Sequence, residues 1–213
     1  MPHNWQEVSL GALSTFENGD RSSNYPSGSD IKSEGIPFFS TKNLSNLRLQ
    51  FSNIDFITEE KFKSLRSGKL RDQDILITLR GSVGKFGLFE ANDQIKTGFI
   101  NAQLLIVRSV ERAVVPYLMM FMRSDAFADQ LSILSSGSTT PQLSVAQLSK
   151  AVLPLPPLTE QHRIVAKVNE LIVLCDRLEA SLTAIAVTRR RLLDALLAEA
   201  VAPNDDRELE AAE

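Results

Sequence analysis

Two rhythms of apolar and polar positions divide this chain. Up to residue 153, short apolar runs are punctuated by Gly, Ser, Asn and Asp, and all 10 glycines fall in this region. Such runs, bounded by turn residues, predict strands over 6–10, 36–40, 54–58, 74–79, 83–90 and 100–108. The spacing predicts helices over 59–65, 116–134 and 144–149, the middle one bent near Ser124. Residues 17–35 (ENGDRSSNYPSGSDIKSEG) are polar and rich in turn formers, and loops of that length in compact domains are functional or disordered.

The second rhythm follows a proline-rich hinge, Leu153-Pro154-Leu155-Pro156-Pro157-Leu158, which reads as a stiff extended connector because proline continues neither a helix nor a central strand. Thr159 stands where an N-cap belongs, and Glu160 suits the positive end of a helix dipole. From there to Ala200 no Gly or Pro occurs. One period-seven series reads Ile164, Leu171, Leu178, Ile185, Leu192; a second, offset by four, reads Val168, Cys175, Leu182, Arg189, Leu196. Only Arg189 breaks the apolar pattern, either as a register-setting polar layer or as a snorkelling side chain near the helix end. A sustained 3.5-residue period argues for a coiled-coil partner. About 41 helical residues would span roughly 60 Å, too long to bury the whole stripe on one small domain. The expected fold class is α+β: a β-rich globular domain over 1–157, one long coiled-coil-forming helix over 158–200, and an acidic tail over 201–213 with no assigned role.

Composition narrows the possibilities. At 213 residues, 43% hydrophobic and 23% charged, the chain can bury a real core and does not have the composition of a disordered one. The opening MPHNWQEVSL lacks the basic-then-apolar layout of a signal peptide. The longest uncharged apolar run, 113–122, is too short for a membrane span. With a single cysteine, Cys175, a disulfide framework is excluded, so a cytoplasmic protein is expected. The net charge of −3 hides an asymmetry: residues 1–158 carry 16 Lys+Arg against 15 Asp+Glu, and 159–213 carry 7 against 11. Within 61–85, seven basic residues face two acidic ones, which suits either a phosphate-facing surface or a solvated helix face.

Catalytic signatures are missing. Gly81-Ser82-Val83-Gly84-Lys85 resembles the end of a phosphate-binding loop, but Leu79 replaces the required first glycine and Phe86 the required Ser or Thr. His3, His162 and Cys175 are too scattered to bind a metal, and Cys175 sits at a heptad core position. No Gly-x-Ser-x-Gly or Gly-x-Gly-x-x-Gly occurs, and Asp72 and Asp74 read as turn formers. Neither a catalytic residue nor a cofactor is expected. What remains is a binding module: 40–43, 80–82 and 135–142 concentrate Arg, Lys, Asn, Gln, Ser and Thr, the side chains that hold phosphates and read base edges.

These segments resemble a known family, the DNA-specificity subunit of type I restriction-modification systems. Trp5 to Gly11 is similar to the opening of its target-recognition domain, and Gly35-Ile36-Pro37-Phe38-Phe39 with Lys42-Asn43-Leu44 to its next block. Asp74 to Lys85 resembles the family's strand and glycine turn, although Gln73 replaces the usual glycine. Asn101-Ala102-Gln103, and then Gly137 to Val165 with Glu160-Gln161-His162-Arg163-Ile164-Val165, complete the resemblance.

Family members have two recognition domains and two long helices, whereas this chain has one of each. The resemblance therefore implies a half-length subunit that reads one half-site of double-stranded DNA. It also implies an antiparallel homodimer through the helix, methyltransferase subunits that methylate adenine N6, and a translocating restriction subunit that joins them. The residues expected to face DNA are Lys42, Asn43, Arg80, Ser82, Lys85, Ser138, Thr139, Thr140 and Gln142. The rival readings are an orphan subunit that pairs with a full-length relative, and the recognition portion of a fused nuclease–methyltransferase system.

Overall fold

The computed structural model describes residues 4–45, 48–135 and 142–201. Its contacts form two units, Met1–Val165 and Ala166–Glu213.

The first unit is built on two four-stranded sheets. One runs in the order β2 (Ser14–Asn18), β11 (Leu104–Ser109), β8 (Asp74–Thr78), β9 (Phe86–Phe89), antiparallel throughout. The other runs β10 (Phe99–Ile100), β4 (Ile36–Phe39), β7 (Asp55–Ile57), β3 (Ile31–Lys32), with only the β10–β4 pair parallel. A short hairpin joins β5 (Leu44–Ser45) to β6 (Arg48–Leu49).

Every residue of β8 is buried, because both faces of its sheet are covered. Ile75 and Ile77 point into one core, and Leu76 into another. On β11, Leu105 and Val107 join the first core and Leu104 and Ile106 the second, the two-residue alternation of a strand. The first core is closed by α3 (Val115–Met122), α4 (Asp125–Leu134) and α5 (Val145–Leu148), through Leu118, Phe127 and Leu148. The second is closed by Phe39 and Ile100 from the other sheet, with Leu44 from the hairpin.

The expected bend near Ser124 is the break between α3 and α4, where the Ser124 hydroxyl caps α4 by accepting from Phe127 N–H at 3.3 Å. α2 (Glu59–Ser64) also falls where predicted. Other expectations need correction. The single strand foreseen over 100–108 is two, β10 and β11, separated by the turn at Asn101 whose carboxamide accepts from Gln103 N–H at 3.1 Å. The strand over 83–90 begins only at Phe86, because 79–85 is a folded turn. β2 was not foreseen: its sequence STFEN has little apolar character, and its strand state comes from pairing with β11.

The proline-rich connector is partly a strand. β12 (Val152–Leu155) pairs antiparallel with β1 (Gln6–Ser9), which precedes the short α1 (Leu10–Leu13), and Pro154 lies opposite Glu7. Proline is tolerated because the sheet has only two strands and Pro154 needs no ladder N–H on its outer side. The long helix α6 spans Leu158–Val201, and Thr159 is not its N-cap: the Pro157 carbonyl accepts from Glu160 and Gln161 N–H at 2.9 and 3.0 Å, so Thr159 lies inside the first turn instead of capping it. The polar stretch 17–35 is ordered by its own carboxylates. Asp20 accepts from the Ser22 and Arg66 amides at 2.7 Å each, and Asp30 closes a capping box with Ser27.

In the second unit, α6 has no cover. Every residue from Asn169 to Ala200 is exposed, including Cys175 and Arg189. The start of the helix differs: Ile164 and Val165 pack on the first core, so Ile164, expected in a helix–helix seam, is already half used by its own globular unit. Among the described residues no helix is long and apolar enough to cross a membrane.

Candidate nucleic-acid interface

The turn between β8 and β9 carries three of the foreseen residues, Arg80, Ser82 and Lys85, all exposed. A buried threonine that sequence reasoning passed over holds it in shape. The Thr78 hydroxyl donates to the Ser82 carbonyl and accepts from Lys85 N–H at 3.0 Å, while Thr78 N–H donates to the Lys85 carbonyl at 2.8 Å. Gly81 and Gly84 take φ of +74° and +84°, where a side chain would be strained. The polar side chains of this turn therefore project from a fixed backbone, which a recognition loop requires.

Gln142 joins the same edge, bridged to Arg80, with Leu143 N–H donating to the Leu79 carbonyl at 2.9 Å. Behind the turn lies a hollow of about 620 Å³, floored by Phe86, Phe127 and Leu131 and rimmed by Ser82, Arg123 and Ser124. Arg123 is exposed and was not foreseen; it marks the end of α3, and only the break at Ser124 hinted at its position.

A second cluster sits on the turn Thr41–Asn43. Lys42 is exposed and pairs with Asp55 at 2.8 Å. An exposed pair of this kind is worth at most about 1 kcal/mol, so it leaves the ammonium available to a phosphate. Asn43 must be withdrawn from the DNA-facing set. It is fully buried; its Oδ1 accepts from Ser40 N–H at 2.9 Å and its Nδ2 donates to the Ser52 carbonyl at 3.4 Å, closing the loop from inside. The two clusters meet through β9. A Cβ added at Gly87 would lie 2.5 Å from Leu49 N and 2.8 Å from Arg48 C, so this strand runs directly against the β5–β6 hairpin.

The basic window 61–85 resolves into two classes. Lys61 and Lys63 are paired with Asp30 and Glu59 at 3.1 and 2.7 Å, and Lys69 lies over the Phe62 ring at 5.0 Å. Arg66, Arg71, Arg80 and Lys85 form no ion pair among the described residues. Arg66 and Arg71, with Lys69 and Thr97, line a separate hollow of about 620 Å³.

A β-rich globular unit followed by one long helix is the fold that the family resemblance implies. Residues 2–185 match the type I restriction modification DNA specificity domain. The chain belongs to this specificity family. A specificity subunit of the EcoBI type I restriction enzyme of Escherichia coli is 24% identical over 200 residues, covering 94% of this chain and 42% of that protein. The StySPI specificity subunit of Salmonella potsdam is 23% identical, covering 94% and 43%.

Among solved structures, a chain from a type I R-M system studied for its complex assembly and conformational transition matches with a TM-score of 0.68 at 22% identity, over 94% of this chain and 46% of that one. The HsdS subunit of Thermoanaerobacter tengcongensis matches with a TM-score of 0.62 at 22% identity, over 85% and 40%. These likenesses establish the specificity-subunit fold, and the chain spans a little under half the length of the curated relatives it matches.

Within this specificity domain, Arg80, Ser82, Lys85 and Gln142 share one edge, Lys42 stands on a second loop, and Asn43 is internal. Ser138, Thr139 and Thr140 lie outside the described residues. No group of three or more His, Cys, Asp or Glu residues that could hold a metal ion occurs among the described residues.

Proposed function

We propose that this chain is the DNA-reading component of a type I restriction-modification complex in the cytoplasm, supplying address and no catalysis. Its globular unit reads one half-site of double-stranded DNA through Arg80, Ser82, Lys85 and Gln142, with Lys42 on the neighbouring phosphate backbone. Two chains pair through α6, and methyltransferase subunits dock on the paired helices. Those subunits, with S-adenosylmethionine, methylate adenine N6, and a translocating restriction subunit completes the assembly. Two-fold protein symmetry then demands a bipartite, inverted-repeat target.

The observation that carries this reading is the 44-residue helix that follows the globular unit, whose apolar positions lie open beyond Val168.

Methylome mapping with and without the gene, followed by fluorescence anisotropy on the mapped duplex, tests the reading. Arg80→Ala is expected to weaken cognate binding by about 1–3 kcal/mol, roughly 5- to 160-fold, with a smaller effect on scrambled DNA. Two unrelated half-sites in the methylome refute the homodimer. A monomer that pairs only with a full-length relative makes the chain an orphan partner instead.

A further inference from the structure

Resting on the DNA-reading proposal above, we infer that the hollow formed by Arg66, Lys69 and Arg71 is a second DNA contact. It holds a backbone phosphate beyond the bases that the Arg80 turn reads. Lys61 and Lys63 in the same basic window are paired with Asp30 and Glu59. Arg66 and Arg71 are exposed and form no ion pair among the described residues. The Lys69 ammonium is held without a carboxylate, 5.0 Å over the Phe62 ring and donating to the Lys63 carbonyl at 3.3 Å. Together these side chains line a hollow of about 620 Å³.

The backbone beneath them is fixed from inside. Asp20 accepts from Arg66 N–H at 2.7 Å, Glu17 from Gly68 and Lys69 N–H at 2.7 and 3.3 Å, and Asp74 from Arg71 N–H at 2.7 Å. Gly68 takes a φ of +83°, and a Cβ there would lie 2.9 Å from Gly19 Cα and 3.0 Å from the Phe99 ring, so the loop sits directly on its neighbours.

The anchoring carboxylates do not face the hollow as free charges. Glu17 and Asp74 are also paired with Arg108. Asp20, which feels the Arg66 charge, is 3% exposed and also accepts from Ser22 N–H. Negative charge is thus layered inside and positive charge outside. A rigid loop that presents guanidiniums outward is an anion site, and their planar forks match the oxygens of a phosphate.

An acidic protein would satisfy the same charge, but the placement favours DNA. Arg71 precedes the five-residue β8 and Arg80 follows it. About 13 Å of strand therefore separates the hollow from the reading turn. At about 3.4 Å per base pair, that is roughly 4 base pairs along a duplex.

Fluorescence anisotropy of the full chain, alone or with its methyltransferase subunits, tests the contact on the mapped duplex and a scrambled one. The measurement runs from about 50 to 200 mM salt. Arg66→Gln with Arg71→Gln is expected to weaken both duplexes alike, about tenfold, and to lower the slope of log K against log salt by about 1. Lys63→Gln, which removes a paired charge from the same window, is expected to leave the slope unchanged. Scanning the duplex with neutral methylphosphonate linkages should find a position, about 4 base pairs from the half-site, that weakens wild type but not the double variant. The scan of wild type stands whether or not the variants fold.

A double variant that binds like wild type, or whose loss is confined to the mapped duplex, overturns the inference. So does an equal fall in slope for Lys63→Gln. Normal DNA binding with lost capture of methyltransferase subunits assigns the hollow to a protein partner and overturns it too. A wild-type chain that binds the mapped duplex no better than the scrambled one refutes the DNA-reading proposal itself, whatever the arginines do.

Discussion

Replacing Arg108 with methionine tests what holds the globular unit together. Arg108 Nε and Nη2 donate to the two Asp74 oxygens at 2.8 and 2.7 Å, and Nη1 donates to Glu17 Oε2 at 2.9 Å. Nη2 also reaches the Lys69 carbonyl at 3.1 Å. One side chain thus ties β2, β8 and β11 to the loop before β8. Asp74 is 1% exposed and Arg108 19%, so the pair is largely out of water. The Asp74 hydrogen bonds, above all, push the Arg108 guanidinium pKa further upward.

Methionine keeps most of the stem volume but leaves a buried carboxylate whose one remaining hydrogen bond among the described residues is from the Arg71 amide, at 2.7 Å. Breaking a buried pair from one side costs about 3–5 kcal/mol. The partial exposure of Arg108 places this case near about 3 kcal/mol, a large share of the roughly 5–15 kcal/mol of a typical domain. Urea unfolding followed by the single tryptophan, Trp5, which donates to Glu160 at 3.3 Å, reads the globular unit together with the first turn of α6 that belongs to it. With an m-value of about 2 kcal/mol/M the midpoint should fall by about 1.5 M. Adding Asp74→Asn, which removes the stranded charge and keeps an acceptor for Arg71, should restore about 1–2 kcal/mol. A loss under about 1 kcal/mol for Arg108→Met, or a double variant no more stable than the single one, refutes the reasoning.

Gly87→Ala drives a methyl to 2.5 Å from a backbone nitrogen of the β5–β6 hairpin, and should cost about 1–3 kcal/mol in the same urea assay. Gly81→Ala has open space and a φ of +74°, so only backbone strain remains, and its loss should be about 1 kcal/mol. Acid lability should trace partly to Asp20, whose carboxyl is held below its ordinary range chiefly by the Arg66 amide, then by Ser22. The unfolded chain takes up that proton at higher pH than the folded one. The contribution is therefore complete above about pH 4 and lost as pH falls through the lower folded value. Asp20→Asn should be less stable at neutral pH and show a shallower acid decline by Tm against pH.

Residues 74–79 show what local pattern can and cannot reveal. The run DILITL reads as a buried strand because β8 lies between two cores, and the Ser124 break and the heptads were equally legible. β2 was not, since STFEN becomes a strand only by pairing with β11 some 90 residues away. Nor was the fate of Asn43, whose polarity suggested DNA and whose carboxamide instead closes its own loop. The basic window looked uniform, yet Asp30 and Glu59 neutralise Lys61 and Lys63 while Arg80 and Lys85 stay unpaired among the described residues.

The long helix and its seven-residue rhythm, Arg189 included, follow from spacing along the chain, because helix formation and its apolar stripe are near-neighbour properties. Which polar residues turn outward was decided by tertiary structure. Exposure at Arg80 and burial at Asn43 depend on segments brought alongside from far away in the chain: Leu143 pinned beside Leu79, and Ser52 set against the 40–43 loop.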